Sequence, residues 1–193
     1  MQATKETAAI AYLAAVVALA AVAVPARRDR QREEVPPWRW RHLALGAVVA
    51  VLVATTLLSS CFTNPRGAID GVLAYLPWLS RAGGESPHIH PWHFYLQRLV
   101  WWRAGDGPLW SEALIVGLAA IGCVAGFLPG PRWLGDAHAG FVRWLGCYTM
   151  AVTAIYTVIP YKTPWCLLQF LLAMVLLAGV GATVLLRSAR KLP

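Results

Sequence analysis

The sequence has few charged side chains. Asp, Glu, Lys and Arg together make up 13% of the 193 residues, whereas hydrophobic residues make up 58%. A water-soluble domain of this size needs more polar surface than such a composition supplies. The composition therefore argues against a soluble globular protein and favours a lipid bilayer as the solvent of the chain.

Acidic residues and cysteines are scarce as well. Nine acidic residues stand against 17 Lys and Arg, which gives a net charge of +8. Anionic lipid headgroups account for this excess, and we expect no nucleic-acid partner. The four cysteines show neither CxxC spacing nor a Cys/His ligand spacing, so we expect them to pack as small apolar residues.

What the sequence does have is long apolar runs. A helix that crosses a hydrocarbon core of about 30 Å needs roughly 20 residues with almost no charge. Five runs meet this requirement and predict an all-α, polytopic integral membrane protein with a single membrane domain over residues 1–193. The predicted spans are residues 7–24, 43–61, 109–128, 141–160 and 166–186.

The first run could instead be a cleaved signal peptide, but it ends in Ala-Arg-Arg-Asp-Arg rather than at a small-residue cleavage site. A retained helix is favoured. Basic residues near helix ends resist translocation. With the N-terminus outside and the C-terminus cytoplasmic, eleven of the 17 Lys and Arg lie inside. We therefore predict this orientation in the plasma (inner) membrane.

The outer loop, residues 62–108, is long and rich in aromatic residues, prolines and histidines. Residues 71–79 and 92–103 are too apolar to float in water and too short to cross a bilayer, so they predict helices lying in the membrane interface. In the second of these, Tyr95, Leu99 and Trp102 would form a stripe towards lipid or protein. Residues 80–87 would be the turn between the two helices.

The first candidate site is the PYKTPW turn, residues 160–165, between the last two spans. Two prolines stiffen its backbone, and Lys162 is the only charge between them. An ammonium held at the membrane edge suits the phosphate of a polyprenyl lipid. The alternative is a snorkelling lysine in a tight turn.

The second candidate consists of His88, His90 and His93. Three imidazoles within six residues could bind a divalent metal, contact a sugar or phosphate, or serve the membrane interface. Because no fourth ligand stands at a suitable spacing, we expect no metal, and we expect no other cofactor. Arg66 and Asp70, four residues apart after the second span, could flank a ligand or form a solvated pair.

Taken in order, SSCFTNPRGAID, HIHPWHFYLQRL, a span that opens with Glu112, and VIPYKTPWCLL resemble the C-terminal half of a family of bacterial and archaeal membrane proteins related to the GT-C glycosyltransferases. That family is similar to dolichyl-phosphate-mannose protein mannosyltransferases, and some members are described as flippase-activity-associated proteins. The resemblance covers about residues 43–177, and Lys162 to Trp165 is its most specific element.

The resemblance implies transfer of a sugar from a polyprenyl-phosphate donor on the outer face. GT-C enzymes carry their catalytic acidic residue in a first outer loop, and here the segment before the first span is only Met1 to Glu6. We therefore expect this chain to be the C-terminal portion of such an enzyme, either as a truncated or split gene product or as a reduced protein. Its expected partners are a polyprenyl-phosphate-linked sugar, membrane lipids, and either a separate N-terminal half or another membrane subunit. The residues expected to bind lipid phosphate or substrate are Arg66, His88, His90, His93, Tyr161, Lys162 and Trp165. The alternative is a non-catalytic membrane subunit or lipid-handling scaffold.

Overall fold

The computed structural model describes residues 2–28, 40–77, 87–128, 134 and 137–190, and the fold is all-α as predicted. A two-stranded antiparallel hairpin and a short 3-10 turn interrupt the helices. The helices are α1 (Gln2–Arg28), α2 (Trp40–Leu58), α3 (Gly67–Leu73), α4 (Phe94–Val100), α5 (Ala113–Phe127), α6 (Ala139–Val158) and α7 (Leu167–Ala189). The strands are β1 (Trp102–Arg103) and β2 (Leu109–Trp110), and the 3-10 turn is Pro164–Cys166.

The chain divides into two compact units, one of residues 29–84 and the other of residues 1–28 with 85–193. The smaller unit holds α2 and α3. Between them Ser60, Cys61 and Phe62 have positive φ angles of 51°, 56° and 69°, a conformation that ordinary side chains adopt rarely. The Ser59 hydroxyl, which accepts the Phe62 N–H at 3.0 Å, helps to hold this turn.

The larger unit is built on a close pair of helices, α5 and α7. A Cβ at Gly122 would collide with the Leu177 carbonyl oxygen, and one at Gly181 would collide with the Leu118 carbonyl oxygen. Glycine at both positions is therefore what allows the two backbones to approach so closely. Helix α6 packs on both helices, and α1 packs on α6, with Ala14 and Ala18 fully buried.

The third predicted span differs from the structure at its start. Residues 109–128 were expected to be helical throughout, but Leu109 and Trp110 pair with Arg103 and Trp102, and the helix begins at Ala113. Pro108 and the turn at Gly105, with φ of 52°, favour a hairpin over a helix at this point. The apolar character of the run was correctly read, but its first residues form a strand.

The predicted interfacial helices also have different bounds. The helix expected at residues 92–103 is observed only as α4, and Trp102 lies on a strand rather than on a helical stripe with Tyr95 and Leu99. In the stretch expected to be one helix, residues 71–79, α3 begins earlier, at Gly67, and ends at Leu73, residue 74 is a turn, residues 75–77 are helical again, and residues 78–79 lie outside the described residues. The turn expected at residues 80–87 lies outside the described residues except for Pro87.

One helical stretch of the described chain, Pro164–Ala189, is both long enough and apolar enough to cross a bilayer. Only 33% of an apolar 18-residue part of this stretch is buried, which is low for the core helix of a soluble protein. Three shorter apolar stretches of 10–17 residues are Ala8–Ala23, Ala44–Leu58 and Ala113–Phe127. Length and composition in the structure thus support one of the five predicted spans.

The close pair of helices can be tested with two glycines of α5. We expect Gly122→Ala to destabilise the fold by about 1 to 3 kcal/mol, because the added methyl group meets the backbone of α7. The matched control is Gly117→Ala, where a Cβ meets nothing within 4 Å. That variant should be neutral or up to about 1 kcal/mol more stable, since alanine favours a helix. Thermal unfolding in detergent measures the stability of both variants. Equal melting temperatures of Gly122→Ala and Gly117→Ala would contradict the close packing of α5 on α7.

Candidate functional site

Two sequence segments that were separate candidates meet in the structure. The backbone N–H of His90 donates to the Pro160 carbonyl at 3.1 Å, and the N–H of Lys162 donates to the His88 carbonyl at 2.8 Å. Ile89 and Tyr161 are paired between these two bonds in an isolated antiparallel bridge. The histidine segment and the PYKTPW turn therefore form one site.

A tyrosine from α4 fastens the same turn. The Tyr95 hydroxyl donates to the Thr163 carbonyl oxygen and accepts the Thr163 N–H, both at 3.1 Å. Tyr95 is 1% exposed and Thr163 is 3% exposed, so neither backbone group has water as an alternative partner. Burial raises the pKa of Tyr95 above its ordinary value, which keeps the hydroxyl neutral and able to donate.

The ammonium group of Lys162 is not free. Its side chain is 1% exposed, and its Nζ donates to the carbonyl oxygens of Thr157, at 3.0 Å, and of Ile159. These carbonyls lie at the end of α6, where the last helical carbonyls lack intrahelical partners and the helix dipole is negative. Burial lowers the pKa of Lys162. The lysine therefore caps α6, which the turn sequence did not reveal.

The three histidines have different aromatic partners. The His88 ring meets Tyr161 edge-on at 5.4 Å between centroids, and the His93 ring meets Trp92 edge-on at 5.5 Å. His90 stacks on Phe94 at 4.0 Å. Within the described part of the chain, no group of three or more His, Cys, Asp or Glu side chains is placed to hold a metal ion.

The surroundings of His90 are basic. Its pKa is lowered first by burial and then by Arg98, His88 and Lys162. Each of these groups disfavours a further positive charge on the imidazole. Basic groups thus surround His90, while His90 itself is held towards its neutral form.

The remaining predicted site residues are more exposed. Tyr161 is partly exposed, and Trp165 is 54% exposed on the 3-10 turn. Arg66 belongs to the smaller unit, where it precedes α3 with an exposed side chain, and Asp70 is exposed one turn later. Glu112 directly precedes α5, and its N–H donates to the Leu99 carbonyl at 2.7 Å.

Sequence reasoning missed the roles of Tyr95 and Thr163. Tyr95 was expected on a stripe facing lipid or protein, and its buried position agrees with a protein contact, although the sequence named no particular partner. The bond to Thr163 joins residues 68 positions apart. No local spacing in a single sequence signals such a pair.

Comparison with protein-family models, with curated proteins and with solved structures finds no match for the chain. The structure defines an all-α protein in which the histidine segment and the PYKTPW turn are paired. Any family assignment for it is a proposal.

The bond between Tyr95 and Thr163 can be tested by removing one oxygen atom. We expect Tyr95→Phe to destabilise the fold by about 1 to 3 kcal/mol, because the Thr163 N–H is left buried without its partner, whereas the Thr163 carbonyl keeps the Cys166 N–H. The control is Tyr12→Phe, since Tyr12 is 72% exposed. Denaturant unfolding of both variants beside the parent protein gives the difference. A loss no larger in Tyr95→Phe than in Tyr12→Phe would refute the role of Tyr95.

Proposed function

We propose that this chain is a polytopic membrane protein with five spans that binds a polyprenyl-phosphate-linked sugar at its outer face, as the C-terminal portion of a GT-C-like glycosyltransferase. Its N-terminus lies outside and its C-terminus in the cytoplasm, in the plasma (inner) membrane. The site is the connected pair of outer segments, residues 88–95 and 159–166. The observation that carries the proposal is the meeting of the histidine segment with the PYKTPW turn in basic surroundings.

Exposed apolar faces support the membrane part of the proposal. On α7, large side chains point away from the protein at Leu168, Leu172, Leu176 and Leu186, each at least 51% exposed. Leaving such side chains in water forgoes roughly 1.5 to 3 kcal/mol each compared with burial. Similar exposed side chains lie along the other long helices, at Leu13, Val16, Leu45, Val48, Leu52, Leu114, Val124, Phe141 and Met150. Lipid tails cover these faces at no such cost.

The basic character of the site suits the chemistry of the donor. In the proposed reaction an acceptor displaces a lipid phosphate from the anomeric carbon of the sugar, and negative charge grows on the departing phosphate. Positive groups held in place stabilise that charge. Lys162 supplies a fixed charge from inside the turn, with the three histidines of residues 88–93 on the paired segment, and Tyr161 and Trp165 line the mouth. Arg66, in the smaller unit, is proposed by itself as a phosphate-binding residue.

The proposed transfer also needs a catalytic carboxylate. Glu112 comes just before α5, and Asp70 is exposed in the smaller unit, but neither corresponds to the acidic residue of the first outer loop in GT-C enzymes. We therefore propose that a separate N-terminal half supplies the acidic residue. In that arrangement this chain provides the lipid-phosphate and acceptor side of the transfer site.

One observation favours a second function, that of a non-catalytic membrane subunit or lipid-handling scaffold. Two of the three N–H groups of the Lys162 ammonium donate to carbonyls of the α6 end. This bonding gives the lysine a structural role that needs no ligand. A scaffold would bind the polyprenyl chain without preference for its phosphate.

Lipid binding to the purified protein in nanodiscs separates the two functions. We expect polyprenyl phosphate to bind at least about tenfold more tightly than the matching polyprenol, because a charge-assisted hydrogen bond contributes about 1.5 to 3 kcal/mol. Lys162→Met should remove most of this preference. Tyr95→Phe, which loosens the same turn and removes no charge, should keep it. Equal affinity of the parent protein for both lipids would reject the transferase proposal and favour the scaffold.

A further inference from the structure

Four side chains from His90 to Trp102, each four residues after the last, form a stacked column along α4 and its flanks. The His90 ring lies nearly parallel to the Phe94 ring, with 4.0 Å between centroids. The Arg98 guanidinium carbon lies 4.4 Å from the Phe94 centroid and 4.6 Å from the Trp102 centroid. Phe94 is buried, whereas Arg98 is partly exposed. The arginine is thus held between two aromatic rings.

This arrangement leaves the guanidinium ready to bind a ligand. The two rings lie within 4.6 Å of the guanidinium carbon and restrict where the group can move. Within the described residues no hydrogen bond or ion pair engages its N–H groups. Such a planar donor edge fits two oxygens of one phosphate, and less freedom is lost on binding because the group is already oriented.

The neighbouring arginine shows the contrast. Arg103, on β1, uses its Nε to donate to the Gly107 carbonyl at 2.8 Å and its Nη2 to donate to the Asp106 carbonyl at 3.4 Å. The hairpin turn thus occupies two of its five N–H groups. Arg98 and Arg103 therefore carry the same charge on adjacent elements but differ in the hydrogen bonds that they offer.

The surroundings of Arg98 favour an anion from a lipid. The charged groups that lower the pKa of His90 are all basic and include Arg98 itself. Trp92 and Trp101, which are 64% and 66% exposed, flank α4, and such rings prefer the depth of the lipid headgroups. Charge and depth together match a lipid phosphate.

We infer that Arg98, held between Phe94 and Trp102, binds the phosphate group of a membrane lipid through the free edge of its guanidinium. The inference rests on the membrane location given under Proposed function and not on the transfer of a sugar. The same chemistry is offered by a phospholipid headgroup, by a polyprenyl phosphate and by free inorganic phosphate.

The test is a titration of the purified full chain by native mass spectrometry in detergent. The ligands are phosphatidylglycerol, polyprenyl phosphate and inorganic phosphate. We expect Arg98→Gln to weaken the binding of at least one of the two lipids by about tenfold or more, and Arg103→Gln to change it less than about twofold. Arg98→Lys, which keeps the charge and loses the planar edge, should fall between the parent protein and Arg98→Gln.

Each outcome decides the inference. If Arg98→Gln weakens the binding of phosphatidylglycerol alone, the inference is supported and Arg98 anchors the protein to lipid headgroups. If Arg98→Gln weakens the binding of polyprenyl phosphate, the inference is supported and Arg98 binds the proposed donor. An equal loss of lipid binding in Arg98→Gln and Arg103→Gln would reveal a general charge effect and overturn the inference. Unchanged binding of both lipids in Arg98→Gln would overturn it as well. Binding of inorganic phosphate only would overturn the assignment to a lipid. A parent protein that prefers polyprenyl phosphate in the nanodisc experiment would still keep its proposed function.

Discussion

The end of α6 imposes the constraint on which the candidate site depends. Pro160 has no N–H to continue the helical bonding, so the last carbonyls of the helix need other donors. Lys162 turns back and supplies its ammonium to two of them, Thr157 and Ile159. This folds the turn over the helix end and leaves its backbone N–H directed at the His88 carbonyl. The histidine segment is attached through the group that caps the helix.

Helix packing brings the other side of the site into position. Gly122 and Gly181 let α5 and α7 approach closely, and α6 packs on both, so the end of α6 is fixed relative to the start of α5. The N–H of Glu112, just before α5, donates to the Leu99 carbonyl of α4. Helix α4 in turn carries Tyr95, whose hydroxyl bonds to Thr163. A contact deep in the helix pair thus helps to set the geometry of the PYKTPW turn.

The sequence predicted what depends on composition and local spacing. Uncharged runs of about 20 residues marked the helical segments, and two prolines around a single charge marked the PYKTPW turn as special. The hairpin of β1 and β2 was missed because Leu109 and Trp110 were read as the start of an apolar helix, and Trp102 and Arg103 as the end of an interfacial one. The Tyr95 to Thr163 bond was missed because it depends on tertiary packing. The spacing of His90, Phe94, Arg98 and Trp102 was visible in the sequence, but only the structure shows that the four side chains stack.

The central claim, that the histidine segment is paired with the PYKTPW turn, is tested most directly by disulfide cross-linking of Ile89→Cys with Tyr161→Cys. The two residues form the non-hydrogen-bonded pair of an antiparallel bridge, where Cα atoms lie about 4.5 Å apart and a disulfide fits. The four native cysteines are replaced by serine beforehand. The control pair is Ile89→Cys with Phe141→Cys, which lies near the other end of α6, about 26 Å along the helix from Val158. Mass spectrometry after mild oxidation in native membranes counts the linked chains. The account predicts nearly complete intramolecular linkage between positions 89 and 161 and almost none in the control pair. Equal linkage in both pairs, or none in the first, would contradict it.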